Sequence, residues 1–322
     1  MEIVNKKTTE LTEVEKKQIC DCYEEVFEGH LKPLSDFNSQ YLNTCLDYSF
    51  HTLLKTDEGE IVGQYVVVPF EYIYKGKQML FSFGADFMIR KDHRNDFKNV
   101  MGLCRESMKF AKGNGIKCIY AFPNDLSYLL NIRVLRMKEI GKLRTYILPY
   151  KIGNAKPKLN ALNIFSICFS RLLLIISKLD YRTKSTTPLI SRDRTSFDKS
   201  RYKWFNPENY RIIKNDIFTC VWKCADFEGV KAAFLIDVYP MSPRNFNRAV
   251  QIMFENEKKH IGIFIYVGEL NFCPLSMVKI PLKYAPKNFN FVAQILDKKE
   301  VIQEDVLDIH NWDVNLSSYA LL

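Results

Sequence analysis

The 322-residue chain has nine cysteines but no framework that would use them. Cys20-Asp-Cys22 and Cys220-Val-Trp-Lys-Cys224 are the closest pairs, and neither has zinc-ligand spacing with matching histidines, so no metal site is expected. An odd, scattered set indicates reduced thiols in a cytosolic setting rather than disulfides. No cysteine combines a neighbouring His with a nucleophile-type turn, which argues against thiol catalysis. Histidine itself is sparse: His30, His51, His260 and His310 show no companion pattern, and His93 sits in a basic turn where a histidine is usually solvated rather than a general base. No compact run of Lys and Arg interleaved with aromatics occurs, so nucleic acid is not an expected partner. The opening segment, MEIVNKKTTELTEVEKK, is too polar for a signal peptide, and a cytoplasmic location is expected.

What is present is apolar and basic. Hydrophobic residues make up 47%, enough for a sizeable core, and the length suits two ordinary domains. The formal charge of +9 suits an anionic ligand such as a nucleotide or coenzyme, an acidic membrane surface, or simple solubility. One long apolar stretch, 159–179, is flanked by Lys156, Lys158, Lys178 and Arg182 and interrupted by Arg171. A central Arg costs a membrane span about 2.5–3.5 kcal/mol. The stretch therefore reads as a linker helix docked on protein, or as a helix lying peripherally on the inner face of the cytoplasmic membrane.

The periodicity divides the chain. Thr12–Phe27 predicts a helix, with Thr12 and Glu15 as a capping box. A second helix covers about 36–46. Phe50–Thr56, Ile61–Phe70 and Met79–Arg90 are β-branched and aromatic, separated by turns at Asp57-Glu-Gly59 and Lys75-Gly76-Lys77. A helix over 99–112 ends at Gly113-Asn-Gly115. A strand at Cys118–Phe122, a helix over 126–138 and a strand over 142–150 complete the first region, residues 1–152. Residues 153–201 predict a linker: the apolar helix, then a polar mobile loop over 181–201. Residues 202–322 repeat part of the order: a hairpin (218–224, 230–239), a helix (244–258) and strands at 261–267 and 289–296. Phe83-Gly-Ala-Asp86 parallels Phe234-Leu-Ile-Asp237, and each Asp precedes an Arg (Arg94, Arg244) near a helix start. The expectation is an α/β (α+β) chain with a mixed, mainly antiparallel sheet and a second partial unit.

Phe81–Arg90, the basic turn Lys91–Lys98 and the helix after it form a strand, turn and helix start where unpartnered amides can hold an anion. With Ile116–Phe122 and Pro123-Asn124, this order resembles the acyl-CoA-binding half of GNAT-type N-acyltransferases. Asp57–Gly63 resembles that family's second-to-third-strand hairpin. The resemblance implies that backbone at Met88, Ile89 and Arg90 takes the pantetheine arm of acetyl-CoA, and that Arg94, Asn95, Asp96, Phe97, Lys98 and Asn99 form the pyrophosphate loop. Phe97 and Asn99 stand where the family has small residues. Asn124-Asp-Leu-Ser127 resembles the family's Asn-x-x-Ala segment. Asn131 falls where the family commonly has a tyrosine acid, leaving Tyr128, one turn earlier, as the candidate. The full chain is similar to GNAT-like proteins of bacterial surface-polysaccharide gene clusters, through Phe122-Pro-Asn124, Lys138–Leu143, Tyr146–Pro149, Val278–Pro281 and Asn311–Ser317. That likeness implies an amino-sugar or nucleotide-sugar acceptor.

N-acyl transfer needs a base for the attacking ammonium, a polarised thioester carbonyl and an acid for the leaving thiolate. Asp86, on an otherwise apolar strand, is the base candidate, since burial would raise its pKa. Glu71 is the second candidate, and Tyr128 the acid. Two other readings stand beside this one: a degenerate, non-catalytic module binding a glycan, lipid-linked precursor or partner enzyme, and an aminoacyl-tRNA-dependent transferase of the tandem-GNAT type.

Overall fold

The computed structural model describes residues 1–154, 157–184, 188–204, 207–227, 230–285, 287–297 and 304–319. In chain order the elements are β1 (Glu2–Lys7), α1 (Glu13–Val26), α2 (Leu34–Leu42), β2 (Phe50–Lys55), β3 (Ile61–Tyr74), β4 (Lys77–Ile89), α3 (Phe97–Gly113), β5 (Cys118–Ala121), α4 (Asp125–Arg133), β6 (Lys138–Lys142), β7 (Arg144–Pro149), α5 (Asn163–Ser177), β8 (Ile190–Arg192), α6 (Arg194–Arg201), β9 (Tyr210–Lys214), β10 (Thr219–Phe227), β11 (Val230–Tyr239), α7 (Pro243–Glu257), β12 (Ile263–Gly268), β13 (Val278–Ile280) and β14 (Asn290–Ile295).

Two mixed sheets result. The first runs β1-β2-β3-β4-β5-β14-β6, with β8 added beside β3; the second runs β13-β7-β12-β11-β10-β9. In the first, β2, β3 and β4 form an antiparallel meander, and β4 meets β5 in parallel. Its turns use Gly59 (φ 86°) and Gly76 (φ 76°), positions a side chain would strain. The first ten residues of β3 are all buried, consistent with cover on both faces of the strand. Its core gathers Phe50, Leu54, Tyr65, Leu103, Ile119 and Val292. The second sheet packs Leu148, Trp222, Phe264 and Tyr266 against Phe246 and Met253 of α7.

The chain divides into two compact units that are not sequential halves. The first comprises Met1–Gly141, Leu189–Pro207 and Asn290–Asp308; the second comprises Lys142–Pro188, Glu208–Phe289 and Ile309–Leu322. This differs from the expected division at 152 and 201. The strand expected over 142–150 is β7, and it pairs with β12 in the second sheet; β6, just before it and not expected, lies in the first. The strand expected at 289–296 is β14, and it joins the first sheet by pairing antiparallel with β5. Composition identifies both as strands; partner choice is a long-range matter that composition does not carry.

The polar run 181–201 is another correction, for its latter part is structured. β8 pairs with the end of β3, and α6 is capped by Asp193, whose carboxylate accepts from Thr195 N–H at 2.9 Å. Its anchors are aromatic: Phe197 and Trp204 pack tilted against Phe70, with ring centroids 5.4 and 5.6 Å away. The Trp204 indole N–H donates to the Asn43 carbonyl at 2.9 Å. Residues 185–187 of that run lie outside the described residues.

Candidate functional site

The first sheet opens along β4. The pairing of β4 with β5 covers only Phe81–Phe83 against Cys118–Tyr120. β4 continues to Ile89, whereas β5 ends at Ala121 and gives way to Phe122 and Pro123, which has no N–H for a ladder. Among the described residues no strand pairs with the outer edge of Gly84–Ile89. The other edge stays bonded to β3 through a bulge: Gln64 pairs with Met88 and Val66 with Ala85, so Asp86 and Phe87 together oppose Tyr65. Asp86 adopts φ 42°, a left-handed conformation that costs roughly 1–2 kcal/mol for an L-residue. The bulge bends the strand away from β5 and re-aims the Asp86 side chain. Next to it, Gly84 leaves room for the Tyr65 hydroxyl, which would lie 2.3 Å from any Cβ there.

Asp86 is not a lone buried carboxyl. Lys32 Nζ and the Tyr41 hydroxyl both donate to its Oδ2, and Lys32 also donates to the Tyr41 oxygen at 2.8 Å. The Lys32 ammonium sits 4.8 Å from the Tyr23 ring centroid and 4.6 Å from that of Tyr41. Burial, then the Asp86 charge, drives the Tyr41 phenol well above its ordinary pKa, so it remains a donor. Beneath this cluster His51 is fully buried; burial pushes it down to about 4, against a weaker pull from Gln64. The neutral ring faces Thr8 Oγ1 at 3.0 Å and Gln64 Oε1 at 3.4 Å. Sequence reading missed Lys32, Tyr41 and His51, since no local spacing joins positions 32, 41, 51 and 86.

The turn after β4 is exposed. The Arg94 and Lys98 side chains have no partner among the described residues, and the Phe97 ring is 63% exposed rather than wedged between strands. The first turn of α3 already holds a negative group: the Asp96 carboxylate accepts from Lys98 N–H at 2.9 Å. Asn99 N–H and Val100 N–H go to the Asp96 carbonyl at 3.1 and 3.3 Å. Phe97 N–H is left without a partner among the described residues. Arg90, expected to contribute backbone, commits its side chain to Glu25 at 3.0 Å and to Glu60. The Met88 and Ile89 side chains are buried, while their backbone lies on the outer stretch of β4.

The remaining candidates are placed elsewhere or otherwise engaged. Asn124 caps α4: its Oδ1 accepts from Ser127 N–H at 2.9 Å and from the Ser127 hydroxyl at 2.8 Å. The Tyr128 hydroxyl donates to Glu139, and that bond is the main cause of its raised pKa. Asn131 is buried and donates to the Ser127 carbonyl at 2.9 Å. Glu71 pairs opposite Leu80, far along β3 from the bulge at Tyr65. Six residues of strand separate them, roughly 20 Å. Glu71 instead lines an open cleft of about 490 Å³ with Asn43, Asp47 and Asp193. The structure therefore does not bring Glu71 to Asp86.

No family model matches the chain, and no curated protein matches it in sequence. Solved structures do match in three dimensions. A GCN5-related N-acetyltransferase from Anabaena variabilis aligns with 91% of this chain and 73% of its own, at 11% identity and a TM-score of 0.57. A GCN5-related N-acetyltransferase from Kribbella flavida covers 92% and 72%, at 9% identity and a TM-score of 0.57. Eis1 from Mycobacterium abscessus covers 92% and 74%, at 9% identity and a TM-score of 0.56. The fold is the GNAT fold.

The second unit contains a comparable opening with a different outcome. β11 pairs in parallel with β12 only to Leu235 and Tyr266, then runs on to Tyr239, with a bulge opposite Val221 and Trp222. Here the chain's own segment enters: Asn315 bridges Gly268, Glu269 N–H donates to the Val314 carbonyl at 3.1 Å, and Asn315 Nδ2 donates to the buried Asp237 at 3.0 Å. Asp237 is thus a structural anchor in a filled gap.

Proposed function

We propose that the chain is an N-acyltransferase that moves an acetyl or related acyl group from acyl-CoA to a primary amine. The observation that carries this reading is the outer edge of Gly84–Ile89, left by β5 beyond Phe83 beside a bulge that presents Asp86. An extended pantetheine arm can add to such an edge as a strand would, through main-chain hydrogen bonds. A β4 N–H pointing outward there can polarise the thioester carbonyl.

The reaction then balances simply. The neutral amine attacks the carbonyl carbon, a C–N bond forms, the C–S bond breaks, and the thiolate leaves on the coenzyme. Before attack the substrate ammonium gives one proton to Asp86, directly or through water, when the incoming amine takes the place of Lys32 beside the carboxylate; the second nitrogen proton, lost after attack, ends on the departing thiolate. Tyr128 remains the acid candidate for the thiolate; its bond to Glu139 must open first. Arg94, Lys98 and Phe97 N–H are the groups for the diphosphate. Phe97 itself is no obstacle, because its ring points outward.

The acceptor we propose is an amino sugar, free or nucleotide-linked, of surface-polysaccharide biosynthesis in the cytoplasm. It rests on the resemblance of segments 122–124, 138–149, 278–281 and 311–317. The second unit reads as a partial GNAT-like repeat whose equivalent gap is closed by residues 314–317. One observation favours the rival, non-catalytic reading: the Asp96 carboxylate occupies the helix start where a diphosphate would sit. Calorimetry with acetyl-CoA separates the two. Binding by the wild type, weakened in Arg94→Glu, together with thiol release on adding amino-sugar acceptors, supports transfer. No binding at millimolar coenzyme overturns it.

A further inference from the structure

Helix α5 is built inside out. Its docked face is serine-rich: Ser166, Ser170, Leu174 and Ser177 are buried. Ser166 donates to the Tyr150 carbonyl at 3.1 Å, and Gln251 of α7 donates to the Ser177 hydroxyl at 2.8 Å. The large apolar side chains turn outward instead. Ile164, Phe165, Phe169, Leu172, Ile175 and Ile176 are all exposed, Ile164 at 72% and Phe165 at 74%. At 100° per residue they fall within one continuous stripe. A stripe of this kind facing water marks an interaction surface.

Charge along one border of the stripe identifies the partner. Arg171 and Lys178 lie on the α7 side of α5 and help line an open groove of about 560 Å³, with Lys151, Lys258 and Lys259. Glu255 is the single acidic residue lining it, and it pairs with Lys258. Arg171, Lys178 and Lys259 have no acidic partner among the described residues. An apolar stripe bordered by cations matches a helix lying in the headgroup region of a bilayer, acyl chains against the Phe and Ile side chains and phosphates against the cations. By length and composition Lys158–Ser177 could cross a membrane. Its serine face, bonded to Tyr150 and Gln251, keeps it on the protein.

We infer that α5 and the basic groove beside it dock this protein onto an anionic phospholipid surface. The inference stands apart from the acyl-transfer reading. Sedimentation of the full chain with phosphatidylglycerol-containing vesicles, against phosphatidylcholine alone, tests it. The expected result is a bound fraction that rises with anionic lipid and falls at high salt. Phe165→Asp with Ile175→Asp should abolish binding. Arg171→Glu, Lys178→Glu and Lys259→Glu together should weaken it at least tenfold. All these positions are exposed, so unchanged thermal melts confirm that folding is not the cause. Failure of the wild type to bind anionic vesicles overturns the proposal. So does binding indifferent to the charge reversals, or a wild-type dimer that Phe165→Asp splits, which would assign the stripe to a second copy.

Discussion

Lys32 and Asp86, 54 residues apart, share one ion pair at the β4 bulge, with the Tyr41 hydroxyl bonded to the same carboxylate oxygen. The pair holds an L-residue in a left-handed conformation. Removing one partner leaves a largely buried charge alone, which for buried pairs costs about 3–5 kcal/mol. Lys32→Met and Asp86→Asn should each destabilise by about 3 kcal/mol in urea unfolding, and the double variant by less than their sum. If Asp86 takes the amine proton, Asp86→Asn should also lower kcat about 10²- to 10⁴-fold. Unchanged kcat per folded enzyme would make the pair purely structural.

The Asp96 cap invites the opposite manipulation. Asp96→Ser keeps a side-chain oxygen for Lys98 N–H and removes a negative charge from the diphosphate's expected position. Acetyl-CoA should bind about fivefold more tightly, from roughly 1 kcal/mol of relieved repulsion. Calorimetry of the two proteins at equal salt checks it; weaker binding by Asp96→Ser would show that the carboxylate helps rather than opposes.

Two buried groups give acid sensitivity in separate windows. His51 falls from 6.5 to about 4 on folding, so the unfolded chain binds the extra proton and stability declines as pH drops from 6.5 toward 4. The full effect is about 3 kcal/mol. Burial raises Glu15, yet Lys55, Lys6 and the Thr12 amide outweigh it and hold the carboxyl at about 2. Its contribution is present above 4.5 and disappears as pH falls through about 2. Urea unfolding against pH should show the first slope vanish in His51→Phe and the second shrink in Glu15→Gln.

Gly84 and Tyr65 are coupled by contact. A methyl at Gly84 meets the Tyr65 hydroxyl, so Gly84→Ala should cost about 1–3 kcal/mol. Tyr65→Phe removes the colliding atom, and the next contact lies at 3.2 Å. Thermal melts of the four proteins of the cycle should show the penalty largely relieved in the pair.

Much of this architecture is legible in the residues. The capping box at Thr12 and Glu15, the turn at Asp57-Glu-Gly59 and the proline after Phe122 each act locally, and the elements they bound are where the pattern puts them. The basic turn and the helix start after Arg94 are legible for the same reason. The partners of Asp86 are not: Lys32 comes from the loop between α1 and α2, and only tertiary packing brings it there. The ordered part of 181–201 was hidden because its polar composition masks one anchor, Phe197, and because a second, Trp204, lies just beyond the run; the burial of both decides the outcome. Edge strand β1 was hidden likewise, since Asn5, Lys6 and Lys7 carry no apolar alternation; they pair with β2 through the backbone and through the Thr52 hydroxyl, which donates to Asn5 Oδ1 at 2.8 Å.

Because β14 seats between β5 and β6, while β7 seats between β12 and β13, each sheet waits on a distant stretch of polypeptide. During synthesis the first sheet cannot close until the ribosome has passed residue 295, and the nascent β5 edge stays uncapped until then. Cutting the gene at 152 would strand both fragments with an open seam, so co-expressed pieces should recombine where either piece alone aggregates.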